Sequence, residues 1–274
     1  MTEVELKLFV LAGICVTAST IGYLLSLVVK KVQLARLSTW ILLGGFVFLA
    51  LSLILIASHS TGWSNFGSRC FLSLYAWAIS GIYLGMQIKT KTRVLGAFVA
   101  PLILLFIIAA AGQQSDKNLV PLPWQGWLTA LHLLLAIAGE ALFVLAAAAG
   151  AMFIIQDNLL KHKKPGKMSR FLPSLGDLDR INQSGLLWGF VLLTFGMIAG
   201  ALYAAFVWEG RWFSDPKIIW ALATWVVYGF LLHQRLAIGW KGFRMAALSC
   251  VVFVLFFTSA LAIRFYLPTI HSFI

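Results

Sequence analysis

Charged residues are scarce in this chain, and their scarcity identifies the class of protein. Aspartate, glutamate, lysine and arginine make up 11% of the 274 residues, whereas 61% are hydrophobic and the mean hydropathy is +0.93. A water-soluble domain cannot bury that much apolar surface in its core, so the composition excludes that class. The composition is typical of a protein that resides in a lipid bilayer.

Eight apolar stretches are each long enough to cross a bilayer, because a helix of about 20 residues spans roughly 30 Å of hydrocarbon. None of them alternates polar and apolar residues, as the strands of a membrane β-barrel do. The sequence therefore predicts an all-α integral membrane protein, a bundle of eight transmembrane helices. The stretches are 8–29, 38–58, 68–88, 93–112, 127–156, 184–207, 216–233 and 245–267.

Acidic residues are also few: 9 Asp and Glu residues stand against 21 Lys and Arg residues, for a net charge of +12. Such an excess can indicate nucleic-acid binding, but here the basic residues follow the first, third, fifth and seventh apolar stretches. By the positive-inside rule these connections are cytoplasmic, so both termini and the loops near 60, 120 and 210 are predicted on the outer side. We therefore expect the lipid bilayer, and no nucleic acid, as partner; binding of anionic lipid is a second interpretation. The basic residues are Lys30, Lys31, Arg36; Lys89, Lys91, Arg93; Lys161, Lys163, Lys164, Lys167, Arg170, Arg180; and Arg235, Lys241, Arg244.

Other absences narrow the functional classes. The three cysteines, Cys15, Cys70 and Cys250, have no CxxC spacing, which favours small core residues; a disulfide between Cys15 and Cys70 stays open. No linker rich in proline, glycine or serine divides the chain, so 1–274 is predicted to be a single polytopic membrane domain. Nucleophile elbow, HExxH, phosphate-loop and Walker patterns are all missing, which leaves no independent catalytic motif and disfavours ATP-driven transport by this chain alone.

Histidines occur near the predicted membrane boundaries. His132, His271 and His59 are all expected toward the outer side, whereas His233 follows Pro216 by about 26 Å of helix and is expected at the cytoplasmic end. Neutral imidazole is a standard axial ligand of haem iron. A hydrogen-bonded histidine at a boundary is the structural alternative for each.

A tryptophan-rich outer loop at 208–217 lies between the sixth and seventh stretches. Aromatic side chains offer the apolar surface that a porphyrin needs, but Trp208 and Trp212 also fit an ordinary aromatic belt at a membrane interface. Asp215 followed by Pro216 is equally a good helix start, because a short acceptor caps free amides and proline suits the first turn. Both interpretations, a haem platform and a capped span, stay open at this point.

The pattern W-x3-W-x2-DPK-x2-W-x3-TW-x2-Y-x4-H, from Trp208 to His233, resembles the tryptophan-rich segment of the CcsA/CcmC/HemX haem-handling family. The segments at 172–204 and 235–246 resemble the cytoplasmic link, the following span and a later connection of the same family. The likeness covers about residues 120–271, which we interpret as a haem-handling core.

The resemblance implies a site and partners. Haem b, transported or transiently bound, would be held at the outer face for attachment to apocytochrome c, with a CcsB/ResB-type membrane partner, in the bacterial cytoplasmic (inner) membrane. It implies that His132 and His271 ligate the iron of an outer haem and that His233 meets haem at an inner site. The outer loop residues expected against the porphyrin are Trp208, Trp212 and Asp215. Cations that can pair with haem propionates are Arg211, Lys217, Arg69 and Arg264, unless they reach to lipid headgroups instead.

Two departures from the family pattern keep a second function open. Ser214 stands where a tryptophan is expected, and Ile218 stands where an acid is expected. They favour a HemX- or YpjD-like accessory protein that binds or senses haem without a direct role in attachment. A third alternative, a small-molecule transporter, rests on Glu140, an acid expected deep in the fifth stretch, where charge is expensive.

Overall fold

The computed structural model describes residues 2–59, 68–90, 92–113, 126–161, 171–207 and 214–266. They form eight α-helices, and a short 3₁₀ turn at Arg93–Leu95 leads into the fourth. The helices are α1 Glu3–Val29, α2 Val32–His59, α3 Ser68–Thr90, α4 Gly96–Ala111, α5 Gly126–Lys161, α6 Leu175–Val207, α7 Pro216–Leu236 and α8 Phe243–Tyr266.

Eight helical segments in the described ranges are long and apolar enough to cross a membrane, with the turn at Arg93 counted with α4. The predicted all-α class and the number of spans are therefore confirmed, and the chain is a multi-pass membrane protein. Which side each terminus faces stays a prediction from the charge pattern.

The helix α6 begins at Leu175, earlier than the predicted start at 184. Ser174 starts it: its hydroxyl accepts a hydrogen bond from the Asp177 amide (3.1 Å) and donates one to the Asp177 carboxylate (2.7 Å). These bonds satisfy a free amide of the first turn and put negative charge at the positive end of the helix. Hydropathy marks where a helix enters lipid, whereas capping marks where the helix begins, so the helix also includes polar residues that precede the apolar stretch.

The chain forms two compact units, and the first comprises Met1–Pro121 and Ile154–Leu178. Its helices α1 to α4 enclose a polar cluster. The Tyr23 hydroxyl shares a hydrogen bond with Thr39 (2.9 Å) and accepts one from the Gln87 amide (3.2 Å), while Tyr83 donates to the Arg93 carbonyl (3.0 Å). Polar groups in an apolar bundle must find partners inside it, and this cluster meets that requirement.

The second unit comprises Leu122–Phe153 and Asp179–Ile274. Its helices α5 and α6 approach so closely that a β-carbon added at Gly139 would lie 2.9 Å from the Gly189 carbonyl oxygen and from the Leu193 amide nitrogen. Only glycine permits such backbone contact, as at the small-residue interfaces of other membrane helices. Whether the two units act as one membrane domain stays a prediction.

Candidate functional site

His132 is the predicted outer ligand that the structure describes. It is half-buried near the start of α5, and its Nδ1 lies 2.7 Å from the carbonyl oxygen of Gly196 on α6. A carbonyl oxygen can only accept a hydrogen bond, so Nδ1 carries the proton. The lone pair of the neutral ring is therefore on Nε2, the state in which imidazole binds a metal.

Asp215 is buried and caps the helix α7. Its side chain accepts a hydrogen bond from the Lys217 amide (2.9 Å), and Pro216 takes the first helical position. The structural interpretation of the Ser-Asp-Pro sequence is thus confirmed, because the carboxylate satisfies an amide that would otherwise have no helical partner. The predicted contact of Asp215 with a porphyrin stays a prediction.

Two tryptophans of the motif attach α7 to its neighbours. The indole N–H of Trp220 donates to the Ser259 hydroxyl on α8 (2.8 Å), and that of Trp225 donates to the Thr194 hydroxyl on α6 (2.9 Å). Three residues along, Tyr228 stacks on Phe143 of α5 with ring centroids 3.6 Å apart. The conspicuous aromatic pattern of α7 therefore builds the core of the second unit and holds this helix between α5, α6 and α8.

Replacing Trp225 with phenylalanine is expected to lower the free energy of unfolding by about 1 kcal/mol. The change keeps much of the aromatic surface but leaves the Thr194 hydroxyl without the indole donor. Chemical unfolding in detergent measures the change. Trp40→Phe is the matched control, since Trp40 is 63% exposed on α2; equal losses in both variants would contradict the role of the hydrogen bond.

His233, the predicted inner ligand, lies in the last turn of α7 with its side chain exposed. The same face carries Val226 and Phe230, which are 54% and 57% exposed. This apolar stripe on a membrane helix is open to lipid or to an apolar ligand. The charge pattern predicts that this end of α7, with the imidazole, faces the cytoplasm.

Arg235, two residues after His233, forms an ion pair that the sequence analysis did not predict. Arg235 donates to both carboxylate oxygens of Asp179, at 2.8 and 2.6 Å, and to the side-chain oxygen of Gln183 at 3.1 Å. The same carboxylate accepts the amide of Gly242, which has a φ of +65°. This cluster joins the ends of α6 and α7 to the connection before α8. No sequence pattern identifies the pair, because a basic residue at the end of a span is also what the positive-inside rule predicts.

Three charged residues with predicted functional roles lie in the described part of the chain. Arg69 donates to the carbonyls of Ala110 (3.3 Å) and Gln113 (2.5 Å) at the end of α4, so its guanidinium completes a helix terminus. Lys217 and Glu140 are half-buried. The predicted roles of Arg69 and Lys217 toward propionates, and of Glu140 in transport, stay predictions.

Cys15, Cys70 and Cys250 are free thiols, so the disulfide left open between the first two is not formed.

Several predicted residues lie outside the described part of the chain: Trp208, Arg211, Trp212 and His271. His59 and Arg264 belong to helices, but their side chains are not described. Of the predicted outer histidine pair, the structure therefore describes His132 and not His271.

Comparisons with known proteins show that this chain is similar to cytochrome c assembly proteins. The family model for the cytochrome C assembly protein matches residues 63–271. The chain is 27% identical to the cytochrome c biogenesis protein CcsA of Porphyra purpurea, over 94% of this chain and 96% of the relative. It is 30% identical to CcsA of Chlamydomonas reinhardtii, over 81% of this chain and 65% of the relative. For CcsA of Prochlorococcus marinus (strain MIT 9312) the identity is 29% over 75% of both chains.

Proposed function

This chain belongs to the cytochrome c assembly protein family and takes part in cytochrome c biogenesis, and we propose that it does so by holding haem at the outer face of the membrane. His132 and His271 would bind the haem iron from opposite sides, with Trp208, Trp212, Arg211 and Asp215 against the porphyrin. The haem is cargo, passed on to apocytochrome c.

The observation that carries the proposal is the hydrogen bond from His132 Nδ1 to the Gly196 carbonyl, 2.7 Å long. Protein ligands of metals commonly donate their second ring nitrogen to a carbonyl or carboxylate, which orients the ring and raises the basicity of the ligating nitrogen. The residues present therefore suit an axial ligand of haem iron. The haem itself supplies the vinyl groups that react with apocytochrome thiols, so the task of this chain is to bind, orient and release.

His233 supports a second haem position nearer the cytoplasm. The exposed stripe of Val226 and Phe230 gives a flat apolar ligand a surface that is accessible from the bilayer, and the imidazole at its end is exposed. Haem would meet His233 first and then reach the outer histidines. The proposal includes the bacterial cytoplasmic membrane and a CcsB/ResB-type partner, because the described residues form helices of membrane-spanning length and include no large outer domain that could receive apocytochrome c.

The visible spectrum of the detergent-purified protein, oxidised and reduced, tests the outer site. We expect wild type expressed with excess haem to show a low-spin spectrum typical of two histidine ligands. His132→Ala combined with His271→Ala should lose that component, because both axial ligands are removed. Added imidazole should restore part of it by supplying the missing ligand.

His233→Ala is the comparison variant, since it removes an imidazole from the other end of the second unit. When haem is added directly to the purified variant, so that filling the outer site does not depend on passage by way of His233, the outer two-histidine component should be retained. A wild type that stays colourless after haem is added would overturn the proposal and favour an accessory role without bound haem. Retention of the full spectrum in the double variant would show that other residues ligate the iron.

A further inference from the structure

Gly200 on α6 lies directly against the ring of His132. A β-carbon added at Gly200 would lie 2.6 Å from Nδ1, 2.7 Å from Cε1 and 3.2 Å from Cγ of that ring. Real contacts of a β-carbon do not come this close, so any other residue at this position would displace the imidazole. The hydrogen atom of glycine is what allows the ring to lie on the α6 surface.

The contact at Gly200 differs from the other glycine contacts between α5 and α6. At Gly139 the nearest atoms are backbone atoms of Gly189 and Leu193, and at Gly196 they are backbone atoms of Ala136 and Leu135. Those glycines let two helices approach. At Gly200 all three nearest atoms belong to the imidazole. This glycine therefore makes room for the His132 ring, whereas the other two make room for a helix backbone.

The carbonyl that accepts the His132 proton belongs to Gly196, one turn before Gly200 on the same helix. Gly200 supports the flat face of the ring, while the Gly196 carbonyl fixes its rotation and its tautomer. Together they restrict the ring to one orientation with Nε2 unprotonated. A ligand held in one orientation loses little conformational entropy on binding and keeps the geometry that the metal needs.

We propose that Gly200 is a positioning residue for His132. Because glycine has no side chain, it leaves a space, here called the seat, that the imidazole occupies. In the seat the ring donates Nδ1–H to the Gly196 carbonyl and presents Nε2 to haem iron. The proposal about haem rests on the proposed function, whereas the seat and the tautomer are properties of the protein without haem. Gly200 itself touches no reacting atom.

The variant Gly200→Ala tests this seat by two measurements. In protein without haem, nitrogen NMR of ¹⁵N-histidine-labelled protein should report a protonated Nδ1 for His132 in wild type and a changed tautomer signal in the variant; His132→Ala assigns the signal. In protein titrated with haem, the dissociation constant should rise about 10- to 100-fold, the usual effect of removing the outer support of a metal ligand. The low-spin fraction should fall with it.

Gly81→Ala on α3 is the matched control. Its added β-carbon would lie 2.9 Å from Cε2 of Phe46 on α2, which is also a close contact with an aromatic ring, but one that belongs to the first unit and involves neither α5 nor α6. It should cost stability and leave the histidine signal and haem affinity unchanged. If Gly200→Ala has wild-type signals and affinity, or if both variants change them alike, the positioning role is wrong.

Two further outcomes separate the seat from the haem site. If wild type binds no haem, and Gly200→Ala alters the His132 tautomer signal while the control variant does not, the positioning role of Gly200 is supported and the proposed function fails. If Gly200→Ala does not fold, the double variant with His132→Ala decides, because the ring that clashes is gone. Recovery of folding in the double variant supports the contact, and failure to recover overturns it.

Discussion

Asp179→Ala is expected to lower the free energy of unfolding by about 3–5 kcal/mol, because it leaves the Arg235 guanidinium buried without its anionic partner. The Arg235 side chain is 1% exposed and Asp179 is 22% exposed. The pair is bidentate, with oxygen–nitrogen distances of 2.8 and 2.6 Å, and Asp179 also holds the Gly242 amide. Loss of the carboxylate therefore removes both the ion pair and the anchor of the connection between α7 and α8.

Denaturant unfolding in detergent, followed by circular dichroism, measures this loss. Glu3→Ala is the control: it removes an exposed ion pair with Lys7, whose side chains are 69% (Lys7) and 81% (Glu3) exposed, and we expect a change within about 0.5 kcal/mol. Asp179→Leu combined with Arg235→Met should recover much of the stability, since replacing both partners leaves no buried charge. A loss below about 1 kcal/mol for Asp179→Ala would mean that water replaces the carboxylate.

Gly139→Val is expected to lower the free energy of unfolding by about 3 kcal/mol, at the upper end of the range for overpacked cores. The added β-carbon would meet the Gly189 oxygen and the Leu193 nitrogen at 2.9 Å, and backbone atoms of a neighbouring helix cannot move aside as a side chain can. The helices α5 and α6 must then separate along the seam that also holds His132 against α6.

The matched control is Gly44→Val in α2, where an added β-carbon would find no atom within 4 Å. Open space makes that substitution nearly neutral, because the small gain from replacing glycine in a helix offsets the cost of a β-branched residue. Thermal unfolding of both variants in the same detergent compares them. Similar midpoints for Gly139→Val and Gly44→Val would contradict the close packing of α5 and α6.

Part of the candidate site was predictable from the sequence. The resemblance selected His132, His233 and Asp215, and local chemistry predicted the cap at Asp215, because a cap depends on residues that are adjacent in the chain. The role of Trp225 as a donor to Thr194 was not predictable, since the pattern alone does not distinguish a core tryptophan from one that faces a ligand. The outer pair of His132 and His271 stays a prediction.

The sequence by itself determined the membrane class, the number of spans and their approximate positions, because hydropathy is a sum over neighbouring residues and a bilayer demands about 20 of them in a row. Tertiary structure decided which polar groups meet. His132 finds its acceptor 64 positions away at Gly196, and Arg235 finds Asp179 at a separation of 56. Such pairs depend on how helices pack. Between α5 and α6 that packing depends on glycines, which permit close approach only where another helix lies against them, so their role cannot be read from one helix alone.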